Sequence, residues 1–329
     1  MRTNQIGNTD VYVTSVSLGC GSLGNLYRAI SDEQAREVLD CAWSNGIRYF
    51  DTAPRYGRGR SEMRLGKFFQ NKNREDYVLS TKVGRILSPR GSDDPIQQEA
   101  DGFADPLQNN VRYDYSGDGI VETFEQSCER LGSGKIDIIF VHDIGIHTHG
   151  ETENGRHMDD FLGSGFDALK RLKSQGRIGA IGLGVNENEI CLDIMEQVSI
   201  DVILLAGRLT ILDRSAEDAL VAKCRDQGTS LVLGGIFNSG ILATGPIEGA
   251  NYDYGPAPAE VLERVATLQE SAKRVGLSLP SAALHYAHRH PNAASVLIGT
   301  SNPATLQKNM DALNEPVREE SLGDLFDYN

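Results

Sequence analysis

Eight short apolar segments recur along the chain, and segments with helical periodicity separate them. Continuous apolar strands in strict β–α alternation are typical of a parallel sheet whose faces are covered by helices. Eight such units favour closure, so the sequence predicts an α/β fold of the (β/α)8 TIM-barrel type. The predicted strands are Val13–Leu18, Ile47–Phe50, Tyr77–Ser80, Ile136–Val141, Ala180–Leu183, Val202–Leu205, Ser230–Leu233 and Ser295–Ile298.

The segments around these strands complete the predicted barrel. An Asn-Thr-Asp turn between β-prone runs in Gln5–Thr14 predicts an N-terminal hairpin. Two long polar connections, Arg85–Gly117 and Asp143–Asp160, follow strands and are expected to be loops at the C-terminal face. With 329 residues, of which 40% are apolar, one domain over residues 1–329 is expected. Helices are predicted at Ser31–Ser44, Arg60–Gln70, Gly119–Leu131, Phe161–Ser174, Asn188–Gln197, Ala216–Arg225, twice within Pro258–Arg289, and at Pro303–Ala312.

An open doubly wound sheet is the main alternative fold. Its first strand is normally followed by a Gly-x-Gly-x-x-Gly turn, and Gly19–Gly24 fits that pattern. No helix opens directly after this turn, however, because four residues precede the capped helix at Ser31. In addition, no acidic residue ends the second strand in the sequence context of a ribose-binding site. The barrel is therefore preferred.

Charge and composition exclude several classes of partner. A formal charge of −14 without a run of Lys and Arg argues against nucleic acid. No stretch approaches the roughly 20 apolar residues of a membrane span, and Met1 leads into polar sequence, so a cytoplasmic location is expected. The five cysteines are scattered without CxxC spacing, which predicts reduced, mostly buried thiols and no metal site. The oligomeric state stays open.

Four polar residues follow three successive predicted strands. Asp51 and Tyr56 come after the second strand, Lys82 after the third and His142 after the fourth. In a barrel these ends meet at one mouth. A phenol with a pKa near 10 needs help to exchange protons at neutral pH, and we expect Lys82, held by Asp51, to lower the Tyr56 pKa. His142 is expected to orient a substrate oxygen, so the set suits hydride transfer with proton exchange.

These residues stand in a pattern that resembles the aldo-keto reductase family over nearly the full chain. The pattern comprises Phe50–Ala53 with Tyr56-Gly57, then Ser61-Glu62, Thr81-Lys82 and Val141-His142, in the expected order. The resemblance implies a catalytic Tyr56 flanked by Asp51, Lys82 and His142. It also implies NAD(P)(H) bound without a Rossmann motif.

The resemblance also carries over cofactor positions. Asn186 matches the residue that holds the nicotinamide carboxamide, and Leu209 stands where a stacking Tyr is usual. The segment Phe237–Leu242 resembles the pyrophosphate loop, in which backbone amides and a hydroxyl meet the phosphates. The cofactor-binding residues expected in this loop are Asn238, Ser239, Gly240 and Leu242.

The same comparison predicts a preference for NAD over NADP. Asn309 matches the adenine-binding Asn at the last barrel helix. Where NADP-preferring members place Arg or Lys against the 2′-phosphate, this chain has Gly299, Ser301 and Thr305. Lys308 is the only nearby cation visible in the sequence. Without a cationic fork, a dianionic phosphate loses its charge-assisted contacts.

Finer resemblance concerns the substrate. Gly24–Arg28, Leu205–Arg208, Phe237–Gly240 and Asn251–Pro258 resemble the branch that oxidises L-fucose, other D-threo-aldoses or pyridoxal. All of these small molecules form cyclic hemiacetals, so loss of hydride and proton gives a lactone. An NADPH-dependent carbonyl reductase and a non-catalytic nicotinamide-binding regulatory barrel remain alternatives.

Overall fold

The computed structural model describes residues 1–91, 102–317 and 325. Eight parallel strands close into a barrel in which each strand pairs with the next along the chain, and the last pairs with the first. This arrangement confirms the predicted barrel and excludes the open sheet. The strands are β1 (Val16–Gly19), β2 (Tyr49–Asp51), β3 (Val78–Val83), β4 (Ile136–His142), β5 (Ile178–Val185), β6 (Val202–Ala206), β7 (Ser230–Gly234) and β8 (Ala293–Ile298).

Helices cover the outside of the barrel, and every predicted helix is present. Three of them begin at a serine whose hydroxyl accepts a backbone N–H of the first turn: Ser31, Ser116 and Ser278. The helices are α1 (Asp32–Ser44), α2 (Arg60–Phe69), α3 (Gly117–Leu131), α4 (Ile146–Asp160), α5 (Phe166–Ser174), α6 (Asn188–Met195), α7 (Ala219–Gln227), α8 (Ile241–Thr244), α9 (Ala259–Arg274), α10 (Leu279–Arg289) and α11 (Pro303–Asn314).

The two long connections are more regular than the sequence predicts. Most of Asp143–Asp160, expected to be a loop, is helix α4, which is kinked at the non-helical Gly150. This helix buries only Asn154 and His157 and so lacks a visible apolar stripe. In the other connection, Arg85–Pro89 and Asn109–Tyr113 pair as an antiparallel ribbon. Residues 92–101 of that connection lie outside the described residues.

The predicted N-terminal hairpin is confirmed and closes one end of the barrel. Its strands, Thr3–Gln5 and Tyr12–Thr14, pair antiparallel. Ile6, Val11 and Val13 pack in one cluster with the side chains that fill the barrel interior. The opposite, C-terminal end is left to polar groups. All five cysteines are free and four are buried, as expected, while Cys41 is partly exposed.

Candidate active site

The alternation of side chains along β2, β3 and β4 builds the polar end of the barrel. Successive side chains of a strand point to opposite faces, so positions two apart share the interior. The interior-facing pairs are Tyr49 and Asp51, Ser80 and Lys82, and Phe140 and His142. Tyr49 and Phe140 belong to the interior apolar cluster, whereas Phe50 packs outside against the helices. The three predicted site residues therefore form the layer nearest the C-terminal mouth.

Asp51 and Lys82 form a buried ion pair in this layer. The Lys82 Nζ donates to Asp51 Oδ2 at 2.7 Å and to the Thr52 carbonyl at 2.8 Å. The Ser80 hydroxyl donates to the other oxygen, Asp51 Oδ1, at 2.7 Å. Burial by itself lowers the pKa of Lys82, but the charge and hydrogen bond of Asp51 together with the neighbouring Tyr56 outweigh it, so the net pKa is raised. Lys82 therefore keeps its positive charge although its side chain is only 2% exposed.

Tyr56 lies directly beside this pair. Lys82 Nζ is 4.9 Å from the centre of the Tyr56 ring, and the His142 ring stands edge-on to it at 6.1 Å. Burial raises the pKa of Tyr56 because a phenolate is poorly solvated there, while Lys82 acts in the opposite direction. The expected effect of Lys82 is therefore present, but the expected net lowering is wrong because desolvation is larger. Tyr56 is a neutral phenol at neutral pH.

His142 is held at the end of β4 as a neutral imidazole. Burial lowers its pKa well below the ordinary value, despite the neighbouring Asp143 carboxylate, whose Oδ2 is 3.4 Å from His142 Nε2. Among the described residues, its Nδ1 has no hydrogen-bond partner. A neutral imidazole keeps one donor and one acceptor nitrogen, so His142 can hydrogen-bond a substrate oxygen without adding charge.

Asp143 forms ion pairs with two arginines that the sequence analysis missed. Arg85 donates to Asp143 Oδ2 at 2.6 Å and Arg55 does so at 3.2 Å. Burial opposes ionisation of this carboxyl, but His142 and the two guanidinium groups hold its pKa at about 2. Two cations thus share one carboxylate at the mouth. Only the position of Asp143, directly after His142, could have signalled this cluster.

These groups open onto one cavity of about 550 Å³ at the C-terminal end of the barrel. Tyr56, Lys82, His142 and Asn186 line it together, whereas Asp51 lies beneath Lys82. Within the described part of the chain the Asn186 side-chain amide makes no hydrogen bond, although its backbone carbonyl accepts from Arg208 Nε at 2.8 Å. Residues from the connecting loops complete the wall, namely Tyr27, Arg55, Arg85, Phe103, Tyr113 and Tyr254.

In the loop predicted to hold a pyrophosphate, most of the polar groups already form hydrogen bonds within the protein. The Asn238 side chain bonds the Gly207 carbonyl and the Thr210 hydroxyl, and the Asn238 backbone N–H donates to the Gly235 carbonyl. The backbone N–H groups of Gly240 and Leu242 both donate to the Phe237 carbonyl. In this loop Ser239 is the residue whose hydroxyl remains able to donate, while it accepts from the Tyr254 N–H at 2.9 Å. The side chain of Leu242 is buried in the core.

The predicted adenosine end lies around the start of α11 and contains a cation that the sequence did not reveal. Arg28, from the loop after β1, donates to the Ser301 hydroxyl at 3.0 Å. The expectation that Lys308 is the only nearby cation is therefore wrong, because a residue distant in sequence reaches the same place. Asn309 is buried, while Gly299 and Thr305 are exposed. Leu209, at the usual stacking position, is buried in the outer core.

A parallel barrel with a buried Lys–Asp pair, a phenol and an imidazole at one mouth defines a barrel oxidoreductase. Residues 15–327 match the model of the aldo/keto reductase family, and the chain belongs to that family. It is an oxidoreductase that acts on CH–OH groups.

Two curated relatives cover most of the chain. The chain is 36% identical over 324 residues to a pyridoxal 4-dehydrogenase from Microbacterium luteolum, covering 96% of this chain and 94% of that protein. It is 35% identical to a D-threo-aldose 1-dehydrogenase from a Pseudomonas species, covering 91% and 89%. Among solved structures, an aldo-keto reductase from Bacillus halodurans in its holo form matches with a TM-score of 0.77, 25% identity and coverage of 100% and 97%.

The described residues bear on two of the expected partners, a membrane and a metal ion. None of the helices they contain is both long and apolar enough to cross a membrane. No group of three or more His, Cys, Asp or Glu side chains there is arranged to hold a metal ion.

Proposed function

We propose that the protein, acting as one domain over residues 1–329, is an NAD-dependent dehydrogenase that oxidises a cyclic hemiacetal to a lactone. The substrate is pyridoxal, giving 4-pyridoxolactone, or L-fucose or another D-threo-aldose, giving the aldonolactone. The observation that carries this proposal is that Lys82, paired with the buried Asp51, lines one cavity together with Tyr56 and His142. The two dehydrogenase relatives favour the same substrates.

The cavity fits the nicotinamide end of the cofactor. Asn186 lines it with a side-chain amide that has no partner among the described residues, which suits a carboxamide with one donor and one acceptor group. NAD supplies the hydride acceptor when bound. Gly299, Ser301 and Thr305 offer no charged fork to a 2′-phosphate, and the single guanidinium of Arg28 is bonded to Ser301, so we retain the preference for NAD.

The side chains of the site have separate roles in the proton transfer. As the C–H hydride leaves the hemiacetal carbon, its O–H proton passes to Tyr56 and the C=O bond of the lactone forms. Tyr56 must be ionised to accept this proton, and Lys82 stabilises the phenolate that burial disfavours. His142 hydrogen-bonds the reacting oxygen as a neutral donor. We therefore expect the oxidation rate to increase as the pH rises towards the pKa of Tyr56.

The test is formation of NADH by the purified chain with pyridoxal, L-fucose and other aldoses. Methyl α-L-fucopyranoside is the matched control, because its methylated anomeric oxygen has no proton to lose. NADH formation with a hemiacetal and none with the methyl glycoside supports the proposal. Absence of NADH with every hemiacetal contradicts it.

An NADPH-dependent aldehyde or ketone reductase is the second candidate. The contact between Arg28 and Ser301 favours it, because a guanidinium at this position can pair with a 2′-phosphate. Initial rates with NADPH and NADH against the same carbonyl compounds separate the two candidates. A higher kcat/KM for carbonyl reduction with NADPH than for hemiacetal oxidation with NAD would select the reductase.

A further inference from the structure

Two tyrosines at the mouth of the cavity are unusually exposed. Tyr27 is 67% exposed and Tyr254 is 66% exposed, and both line the cavity that holds Tyr56 and His142. Over the described residues, neither ring packs against another aromatic ring. Large aromatic side chains normally bury most of their surface, so two such rings at one opening indicate surface kept free for a ligand.

Tyr254 occupies a position that calls for glycine. Tyr252 pairs with Gly255 across a two-residue hairpin loop made of Asp253 and Tyr254, whose φ angles are 48° and 65°. Loops of this kind need positive φ at both residues and strongly favour Asn-Gly or Asp-Gly. The chain has Asp at the first position and a bulky Tyr at the second, where a side chain is strained.

Tyr27 shows the same anomaly on a separate loop. Its φ is 63°, again in the left-handed region that a bulky residue rarely adopts. Its backbone N–H donates to the Gly102 carbonyl at 2.8 Å, and the neighbouring Leu26 forms a bridge with Phe103. Backbone strain of this kind persists only where surrounding structure imposes it, and it clusters at ligand-binding positions.

Hydrogen bonds fix the hairpin loop that carries Tyr254 at the opening. Arg208 holds Asp253 with two hydrogen bonds of 2.9 and 3.0 Å, and the Tyr254 N–H donates to Ser239 Oγ. Burial of the Tyr254 hydroxyl end, with nearby Asp143 and Tyr56, raises the pKa of Tyr254 to about 12. Tyr254 lines the same cavity as Tyr56 and Asp143 although most of its side chain is exposed.

From these observations we propose that Tyr27 and Tyr254 form the ring-binding walls of the substrate site and select substrates that present a six-membered ring. A pyridine ring stacks on a tyrosine face, and the C–H face of a pyranose packs on one in the same way. An acyclic aldehyde of a few carbons reaches Tyr56 without covering either wall. This inference deepens the proposed function and rests on it.

Glycine variants separate ligand contact from support of the fold. Tyr27→Gly and Tyr254→Gly remove the ring and also relieve the positive φ, so neither should lower the thermal midpoint. We expect each to raise the KM for pyridoxal or L-fucose about tenfold, with little change in kcat. The KM for methylglyoxal, an acyclic carbonyl, should stay within about twofold because it does not use the walls.

Two further variants sharpen the result. Tyr254→Phe keeps the ring and should keep a KM close to that of the unmodified protein. Tyr12→Ala removes an exposed tyrosine of the N-terminal hairpin, at the other end of the barrel, and should change no KM. An unchanged KM for ring substrates in the glycine variants would overturn the proposal. So would an equal rise for methylglyoxal, or a Tyr254→Phe variant as impaired as Tyr254→Gly.

Calorimetric binding of pyridoxine alone distinguishes failure of the walls from failure of the proposed function. Pyridoxine carries the same ring but no aldehyde, so its binding needs no turnover. If the protein forms no lactone yet binds pyridoxine, and the glycine variants lose this affinity, the dehydrogenase assignment fails and the walls stand. If lactone forms with the same KM in all variants, the walls fail and the dehydrogenase stands.

Discussion

Replacing Lys82 by methionine tests the ion pair at the centre of the site. The substitution keeps an unbranched side chain, one heavy atom shorter, but leaves the Asp51 carboxylate, which is 0% exposed, without its cation. Removing one partner of a buried pair costs about 3–5 kcal/mol of unfolding free energy. The Thr52 carbonyl also loses its donor, which adds about 1 kcal/mol. We expect Lys82→Met to lose about 4–6 kcal/mol near neutral pH.

The stability loss of Lys82→Met should depend on pH in a definite direction. Burial already raises the pKa of Asp51 above its ordinary value against the opposing charge of Lys82, and the variant removes that opposition. A buried carboxyl with a raised pKa is least costly when protonated, so the penalty is full above that pKa and declines as the pH falls through it. The difference in unfolding free energy between the unmodified protein and Lys82→Met should therefore become smaller as the pH falls. In the unmodified protein the pKa of Lys82 is raised, so its contribution to stability is fully present below about pH 10 and is lost progressively as the pH rises from there towards the raised pKa.

Urea unfolding across this pH range measures both effects, and a double variant provides the control. Asp51→Asn combined with Lys82→Met removes both charges and should recover part of the lost stability while remaining inactive. If Lys82→Met lowers the unfolding free energy by less than about 1 kcal/mol, which is the contribution of an exposed ion pair, the reasoning is refuted. A double variant no more stable than Lys82→Met would refute it as well.

Three further predictions concern the reaction and the cofactor. Tyr56→Phe should abolish turnover yet leave NAD affinity nearly unchanged by fluorescence titration; a near-normal kcat would exclude its proton-transfer role. Because burial lowers the pKa of His142 well below its ordinary value, the kcat profile should show no histidine transition near pH 6.5, and His142→Gln should leave the acidic limb in place. Ser301→Arg should improve kcat/KM for NADP relative to NAD by roughly ten- to hundredfold, and Arg28→Ala should reduce use of NADP alone; equal effects on both cofactors would show that neither residue meets the 2′-phosphate.

The sequence by itself determined the barrel and the composition of the polar layer at its C-terminal mouth. Strict alternation of apolar and helical segments leaves few topologies, and polar residues at the ends of β2, β3 and β4 have to converge once the barrel closes. The period of two along each strand then places Asp51, Lys82 and His142 on the interior side. These are local rules, so one chain read in order is sufficient for them.

Only the tertiary structure decided how that layer behaves and what surrounds it. Burial, which depends on every neighbouring element, reversed the expected net pKa shift of Tyr56. The contact between Arg28 and Ser301 joins residues 273 positions apart, and the clustering of Arg85 with Asp143 spans 58. The sequence analysis did not predict helix α4, because this helix lacks the apolar stripe that local periodicity detects. Contacts between residues distant in sequence depend on how loops fold over the mouth, and no local pattern encodes that.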